Sequence, residues 1–210
     1  MLPPAADWTN LLRKGLEEWK VLGDGHCRIR SDGVVLAFFG HDRQTLFRGR
    51  ENIGIDEFRW WGTKQSWQYT RRECDEYDLY LEYWVSRPGN SGISIRDPAE
   101  PRCGVAQQPD FTCTPSQLGY EIQINSEYSN RWSTVSIYGL ARAQGGLAVI
   151  GKWNRLNIES RADLIPVSVN GEPAPEHPGS PARLEKGPIG LKLHDLDSFV
   201  VLRNVWILES

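Results

Sequence analysis

The chain has no Lys/Arg-rich run, and its net charge of −3 and pI of about 5.8 leave it mildly acidic. A phosphate backbone is held by a stripe of basic side chains, so nucleic acid is not expected as a partner. No apolar run approaches the roughly 20 residues that span a bilayer, so no membrane span is expected. The opening MLPPAADW has neither a basic n-region nor an apolar h-region, and no signal peptide is expected within it. Metal-site spacing is missing too. Cys27, Cys74, Cys103 and Cys113 form no CxxC and stand at no ligand spacing from a His, while HExxH and a calcium-loop run of acids are both absent. No metal and no cofactor is therefore expected.

Helical periodicity is scarce as well. Residues 8–19 (WTNLLRKGLEEW) read as loop with one helical turn at most, and the rest alternates with a period of two. Asp32-Gly33 between two β-rich runs signals a hairpin, as does Asn170-Gly171 further on. Strands are expected at residues 27–30, 34–39, 77–85, 135–138, 153–159, 165–169, 189–193 and 199–208. Residues 173–181 hold four prolines and read as loop. Residues 41–66, with Trp60-Trp61, form a long excursion without a clear period. With 210 residues, no repeat and no linker, the expectation is one all-β domain, a β-sandwich or jelly roll. A fold of that size buries roughly 70% of its unfolded surface and needs no staple. Even so, Cys103 and Cys113 flank a Pro/Gln-rich segment with little else to order it. A bridge there, worth about 2–3 kcal/mol, is the expected reading for an exported chain. The expected location is periplasmic or secreted, its leader not in this chain, with the cytoplasm as the alternative.

Two stretches organise the rest, residues 90–96 (NSGISIR) and 119–125 (GYEIQIN). Successive strand side chains point to opposite faces. Tyr120, Ile122 and Ile124 thus share one face, and Glu121, Gln123 and Asn125 the other. Ile93 and Ile95 go to the apolar side, Ser94 and Arg96 to the polar side. If the strands are neighbours, Arg96 and Glu121 stand together on a face rich in carboxylate and amide, suited to lining a groove for a hydroxyl-rich ligand. In residues 77–85 both faces are partly aromatic, which predicts a mid-sheet strand with its Tyr80/Trp84 face towards that groove.

The ordered set Asn90-Ser91-Gly92, Arg96, residues 119–124, Tyr138-Gly139, Trp153-Asn154, Asn170-Gly171, residues 187–191, His194 and Arg203-Asn204 resembles the 3-keto-disaccharide hydrolase domain family. The resemblance covers nearly the whole chain. It implies a concanavalin A-like jelly-roll β-sandwich of two antiparallel sheets with long loops. It also implies cleavage of glycosides already oxidised to a ketone at C3. The 41–66 excursion and the 103–113 segment look longer than the family pattern, so substrate identity does not carry over.

A C3 ketone acidifies the C2 proton, so a base can remove it and the aglycone can leave from C1, after which water adds. That route needs a base, a donor to the enolate oxygen and an acid for the leaving group. Glu121 is the expected base or acid, His194 the group best poised to exchange a proton near neutrality, and Arg96 the holder of the ketone oxygen or a partner of Glu121. Asn90, Gln123, Tyr138 and Lys192 would contact substrate. Trp84, or Trp60-Trp61, would supply a stacking platform. His26, His41 and His177 have no such support. A conventional glycosidase is the first rival, but it needs a second carboxylate within about 5.5–9.5 Å. The nearest on the same strand face, Glu127, is roughly 20 Å away at about 3.3 Å per residue; only Glu82 or Glu159 from another strand would supply one. A lectin-like, non-catalytic carbohydrate-binding module is the second rival.

Overall fold

The computed structural model describes residues 7–23, 25–29, 35–39, 65–87, 89–97, 111–126, 132–183, 186–194 and 198–210. In chain order the strands are β1 (Thr9–Asn10), β2 (Trp19–Leu22), β3 (Gly25–Ile29), β4 (Val35–Phe39), β5 (Ser66–Thr70), β6 (Tyr77–Val85), β7 (Asn90–Ile95) and β8 (Tyr120–Asn125). They continue with β9 (Asn154–Ser160), β10 (Leu164–Ile165), β11 (Val167–Val169), β12 (Glu172–Pro173), β13 (His177–Pro178), β14 (Gly190–Leu193) and β15 (Val200–Glu209). One α-helical turn, Pro115–Leu118, leads into β8. Among the described residues no helix is long and apolar enough to cross a membrane.

The strands form two large antiparallel sheets, as the alternation predicts. One runs β12-β11-β9-β6-β15-β4-β3 with β1 beside β15, and the other β2-β5-β14-β7-β8. Between them lies the core. Leu79, Leu81 and Val85 of β6 and Leu156 and Ile158 of β9 meet Ile93 and Ile95 of β7 and Ile122 and Ile124 of β8, all almost completely buried. Each such side chain contributes about 1.5–3 kcal/mol by leaving water. The expected hairpin is present, with Ile29 opposite Val35. At the second tight turn Asn170 (φ 56°) and Gly171 (φ 91°) join Val169 to Glu172. Positive φ at both central residues marks a primed turn, the reason for Asn-Gly there.

Residues 66–70, all but Ser66 beyond the 41–66 excursion and given no strand from the sequence, form one between β2 and β14. Three expectations differ. Residues 135–138 form no strand, because Val135 takes φ 65° and breaks the pleat. That segment caps the open edge of β8 instead: Val135 N donates to Gln123 O, Gln123 N to Ser136 O, and Tyr138 N to Glu121 O. Pro166 splits residues 165–169 between β10 and β11, and two two-residue strands cross the proline-rich 173–181 segment. Cys27 and Cys74 are free thiols. Cys103, with the expected Cys103–Cys113 bridge, lies outside the described residues, as does Trp60-Trp61.

Candidate functional site

The two organising stretches are neighbours in the smaller sheet. Ser94 stands opposite Glu121, Gly92 opposite Gln123 and Asn90 opposite Asn125. β14 lies on the other side of β7, with Gly190 opposite Ser94, and Tyr69 of β5 opposite Gly190. The outward face is thus laid out in rows: Tyr69, Gly190, Ser94 and Glu121 in one, and Trp67, Lys192, Gly92 and Gln123 in the next. The glycines make room for long neighbours. A Cβ on Gly92 would come within 2.8 Å of Glu121 Oε1, so that carboxylate leans over Gly92 towards β14. A Cβ on Gly190 would meet the Tyr69 ring at 2.6 Å, so the phenol folds across Gly190.

Lys192 meets the leaning carboxylate. Its Nζ is 2.5 Å from Glu121 Oε1, and both residues are nearly sealed from solvent, at 6% and 2% exposure. The ammonium also lies 5.3 Å from the centre of the Trp67 ring, whose face carries negative potential. Removing either partner would leave an uncompensated buried charge, costing about 3–5 kcal/mol. Behind the pair, the Tyr69 hydroxyl donates to Oδ2 of fully buried Asp97 at 2.9 Å. Burial, reinforced by the Asp97 charge, pushes the Tyr69 phenol well above its usual range and keeps it a neutral donor.

Over the pair opens a hollow of about 450 Å³ lined by Gln65, Asn90, Thr114, Ser116, Gln117, Glu121, Gln123, Tyr138, Lys192 and His194. Gln123 Nε2 donates to Asn90 Oδ1 at 2.9 Å, and Gln123 Oε1 is buried with no partner among the described residues. Ser116 and Gln117 come from the helical turn before β8, whose end is tied down by Arg183 donating to the carbonyls of Ser116 and Gly119. The Tyr138 ring lies tilted against Trp132 with centres 5.4 Å apart, and Trp132 lies under the Arg142 guanidinium. Six residues singled out from the sequence therefore surround one cavity: Glu121, Gln123, Asn90, Tyr138, Lys192 and His194.

Arg96 and Trp84 do not join them. Arg96 stands just past β7 with φ 54°, so the pleat that would have set it beside Glu121 has already ended. Its Nε donates instead to Ser160 Oγ of the other sheet at 2.9 Å, and its Nη2 is buried with no partner among the described residues. Lys192, two strands away, is the cation that Glu121 meets. Trp84 lies on β6 in the larger sheet, whose core face is set by Leu79, Leu81 and Val85. Its ring points to the far side of the sandwich, edge-on to Phe199 at 5.9 Å. Glu82 and Glu159 sit on that far face too, so among the described residues Glu121 is the sole carboxylate lining the hollow. Trp67, Tyr69 and Asp97 were missed; the aromatic i, i+2 pair in SWQYT is the signal for the first two. Among the described residues no cluster of three or more His, Cys, Asp or Glu could hold a metal ion.

No protein of curated function matches the chain. Its fold is similar to that of a putative glycosyl hydrolase from Parabacteroides distasonis ATCC 8503, with 21% identity, 97% of this chain and 99% of that one covered, and a TM-score of 0.66. It is similar also to a Bacillus subtilis protein of unknown function with a galectin-like fold, at 12% identity, 94% and 91% coverage and a TM-score of 0.63. The carbohydrate-binding module CBM66 from Bacillus subtilis follows, at 11% identity, 90% and 93% coverage and a TM-score of 0.56. These likenesses bear on the fold. The finer statement comes from residues 7–208, which are matched by the 3-keto-alpha-glucoside-1,2-lyase-like domain, and the chain belongs to that family.

Proposed function

We propose that the chain cleaves 3-keto-glycosides by elimination in the hollow over Glu121 and Lys192. The observation that carries this reading is the buried ammonium–carboxylate contact, Lys192 Nζ to Glu121 Oε1 at 2.5 Å, at the floor of a cavity otherwise lined by amides and hydroxyls. A ketone oxygen and its α-proton sit on adjacent carbons, one electron-rich and one acidic. An ammonium and a carboxylate in contact match that polarity.

In this reading the C3 carbonyl oxygen accepts a hydrogen bond from Lys192, whose three N–H groups serve both the ligand and Glu121. As Nζ turns towards the substrate its hold on Glu121 loosens, and the carboxylate takes the C2 proton. The C–H electron pair moves into the enolate, whose oxygen faces Lys192. The carbonyl then re-forms, the C1–C2 double bond appears and the C1–O bond breaks. His194 gives the departing oxygen its proton. Water adds at C1, a proton returns to C2, and the net result is hydrolysis. Asn90, Gln123 and Tyr138 hold the remaining hydroxyls and ring.

The test is to offer the protein a 3-keto-glucoside and the same glucoside unoxidised. Release of aglycone from the keto compound alone is expected, with Glu121→Gln folded but inactive. Release from the unoxidised glucoside would indicate a conventional glycosidase. Saturable binding with release from neither would indicate a lectin-like module.

A further inference from the structure

On the outer side of the larger sheet a second hollow, of about 420 Å³, opens over β6, β9 and β11. We propose that it is a non-catalytic binding site for a neutral oligosaccharide, separate from the Glu121 hollow and on the opposite face of the sandwich. The register builds it. Trp206 stands opposite Tyr80, Tyr80 opposite Asn157, and Asn157 opposite Ser168, a row of side chains crossing four strands. Along β9, Arg155, Asn157 and Glu159 share the outward face at i, i+2 and i+4. They span about 13 Å at roughly 3.3 Å per residue, enough for more than one pyranose ring.

These groups carry hydrogen-bonding capacity that the protein does not satisfy. Asn157 Nδ2 donates to Ser168 Oγ at 3.3 Å, which leaves Asn157 Oδ1 without a protein donor and the Ser168 proton without an acceptor among the described residues. Arg155 makes no ion pair among the described residues, although Glu159 stands on the same strand face. Half-buried Trp8 lies at the hollow beside buried Tyr80. Donors and acceptors beside an aromatic face are what a ring of vicinal hydroxyls with an apolar C–H side requires.

The charge balance selects among ligands. Asp78 and Glu159 contribute two negative charges, and Arg155 and Arg161 two positive ones. The Arg161 guanidinium is held on Asp78, with Glu159 at 3.8 Å. A patch that sums to zero offers no pull on a phosphate or a polyanion, so the hydroxyl-rich, uncharged class fits. The inference does not depend on keto-sugar chemistry, since it concerns saccharides that carry no ketone.

The test is an NMR titration of the intact protein with maltotetraose, cellotetraose and laminaritetraose in turn, following the indole N–H signals. At least one of the three should shift the Trp8 signal saturably while the Trp67 signal stays in place. Arg155→Ala, a change at an exposed position, and Asn157→Ala should each weaken that binding about tenfold, the loss of one hydrogen bond with a charged or amide partner. Turnover of a small 3-keto-glucoside should stay within about twofold of wild type in both. The proposal is overturned if none of the three probes moves Trp8, or if both variants bind as tightly as wild type. It is overturned also if the variants dissolve a dimer seen by sedimentation, which would make this face an interface between copies. Because the readout is local to Trp8, its failure leaves the elimination reading intact, and failure of turnover leaves this site intact.

Discussion

β8 and β9 carry the same kind of pattern yet end in different environments. β8 places Glu121, Gln123 and Asn125 on its polar face, and β9 places Arg155, Asn157 and Glu159 on its own. On β8 every residue is buried; on β9 the polar face is exposed or half-buried. The difference lies in what covers them. The Pro115–Leu118 turn lines the hollow over β8 and the 132–143 segment pairs along its edge, bringing hydroxyls, amides and Tyr138 to the rim of its polar face. Polar side chains roofed in this way must satisfy one another, hence the Lys192–Glu121 contact and the Gln123–Asn90 hydrogen bond. On the open sheet water does that work, and Arg155 needs no partner. Alternation therefore tells which residues share a face, while chemistry depends on whether that face is roofed.

Replacing Lys192 strikes the roofed face hardest. Lys192→Met leaves the Glu121 carboxylate buried and unpaired, and should lower stability by about 3–5 kcal/mol in urea denaturation. Turnover of a 3-keto-glucoside should fall about 10²–10³-fold, the usual loss of one donor to a developing oxyanion. Pairing it with Glu121→Gln should restore most of the stability and none of the turnover, which separates the structural role of the pair from its chemical one. Gly92→Ala comes next. The added methyl meets Glu121 Oε1 at 2.8 Å and must push the carboxylate off its position. The fold should survive, because the nearest obstructing atom ends a side chain and the Ile122 carbonyl oxygen, at 3.2 Å, need give by only a few tenths of an ångström, while kcat falls about 100-fold from misplacement alone.

A smaller effect is expected from Glu82 on the open sheet. Burial alone would raise its carboxyl, but hydrogen bonds from Asn204, Arg203 and Tyr80 outweigh it and hold the pKa below the usual value. A carboxyl lowered by folding contributes stability above its unfolded pKa of about 4.3, lost as pH falls through the lower folded value. Wild type should therefore lose stability below about pH 4 more steeply than Glu82→Gln, as thermal unfolding across that range would show. Arg155→Ala should change stability least, by under about 0.5 kcal/mol. A larger loss would mean that the outer face is roofed as well and would break the comparison.

Much of this was legible in the residues. The shared face of Glu121 and Gln123, the hairpin and the Asn170-Gly171 turn follow from period two and turn chemistry, whereas the pairing of β7 with β8 was only a condition there and is met in the fold. Arg96 was misplaced because one left-handed residue ends the pleat, and a backbone dihedral past a strand end leaves no mark in alternation. Trp84 was misplaced for another reason: a strand with two mixed faces does not declare which sheet it joins. Lys192 was named, but its meeting with Glu121 depends on β14 adding beside β7 and on Gly92 lacking a side chain. That pairing is non-local, and local pattern cannot express it.

The most direct measurement is single-turnover release of aglycone from a 3-keto-glucoside carrying deuterium at C2, with enzyme in excess. Removal of that hydrogen by Glu121 predicts release several-fold slower than from the protium compound, and no release in Glu121→Gln. Equal rates for the two isotopologues, or undiminished release in Glu121→Gln, would contradict proton abstraction by this carboxylate.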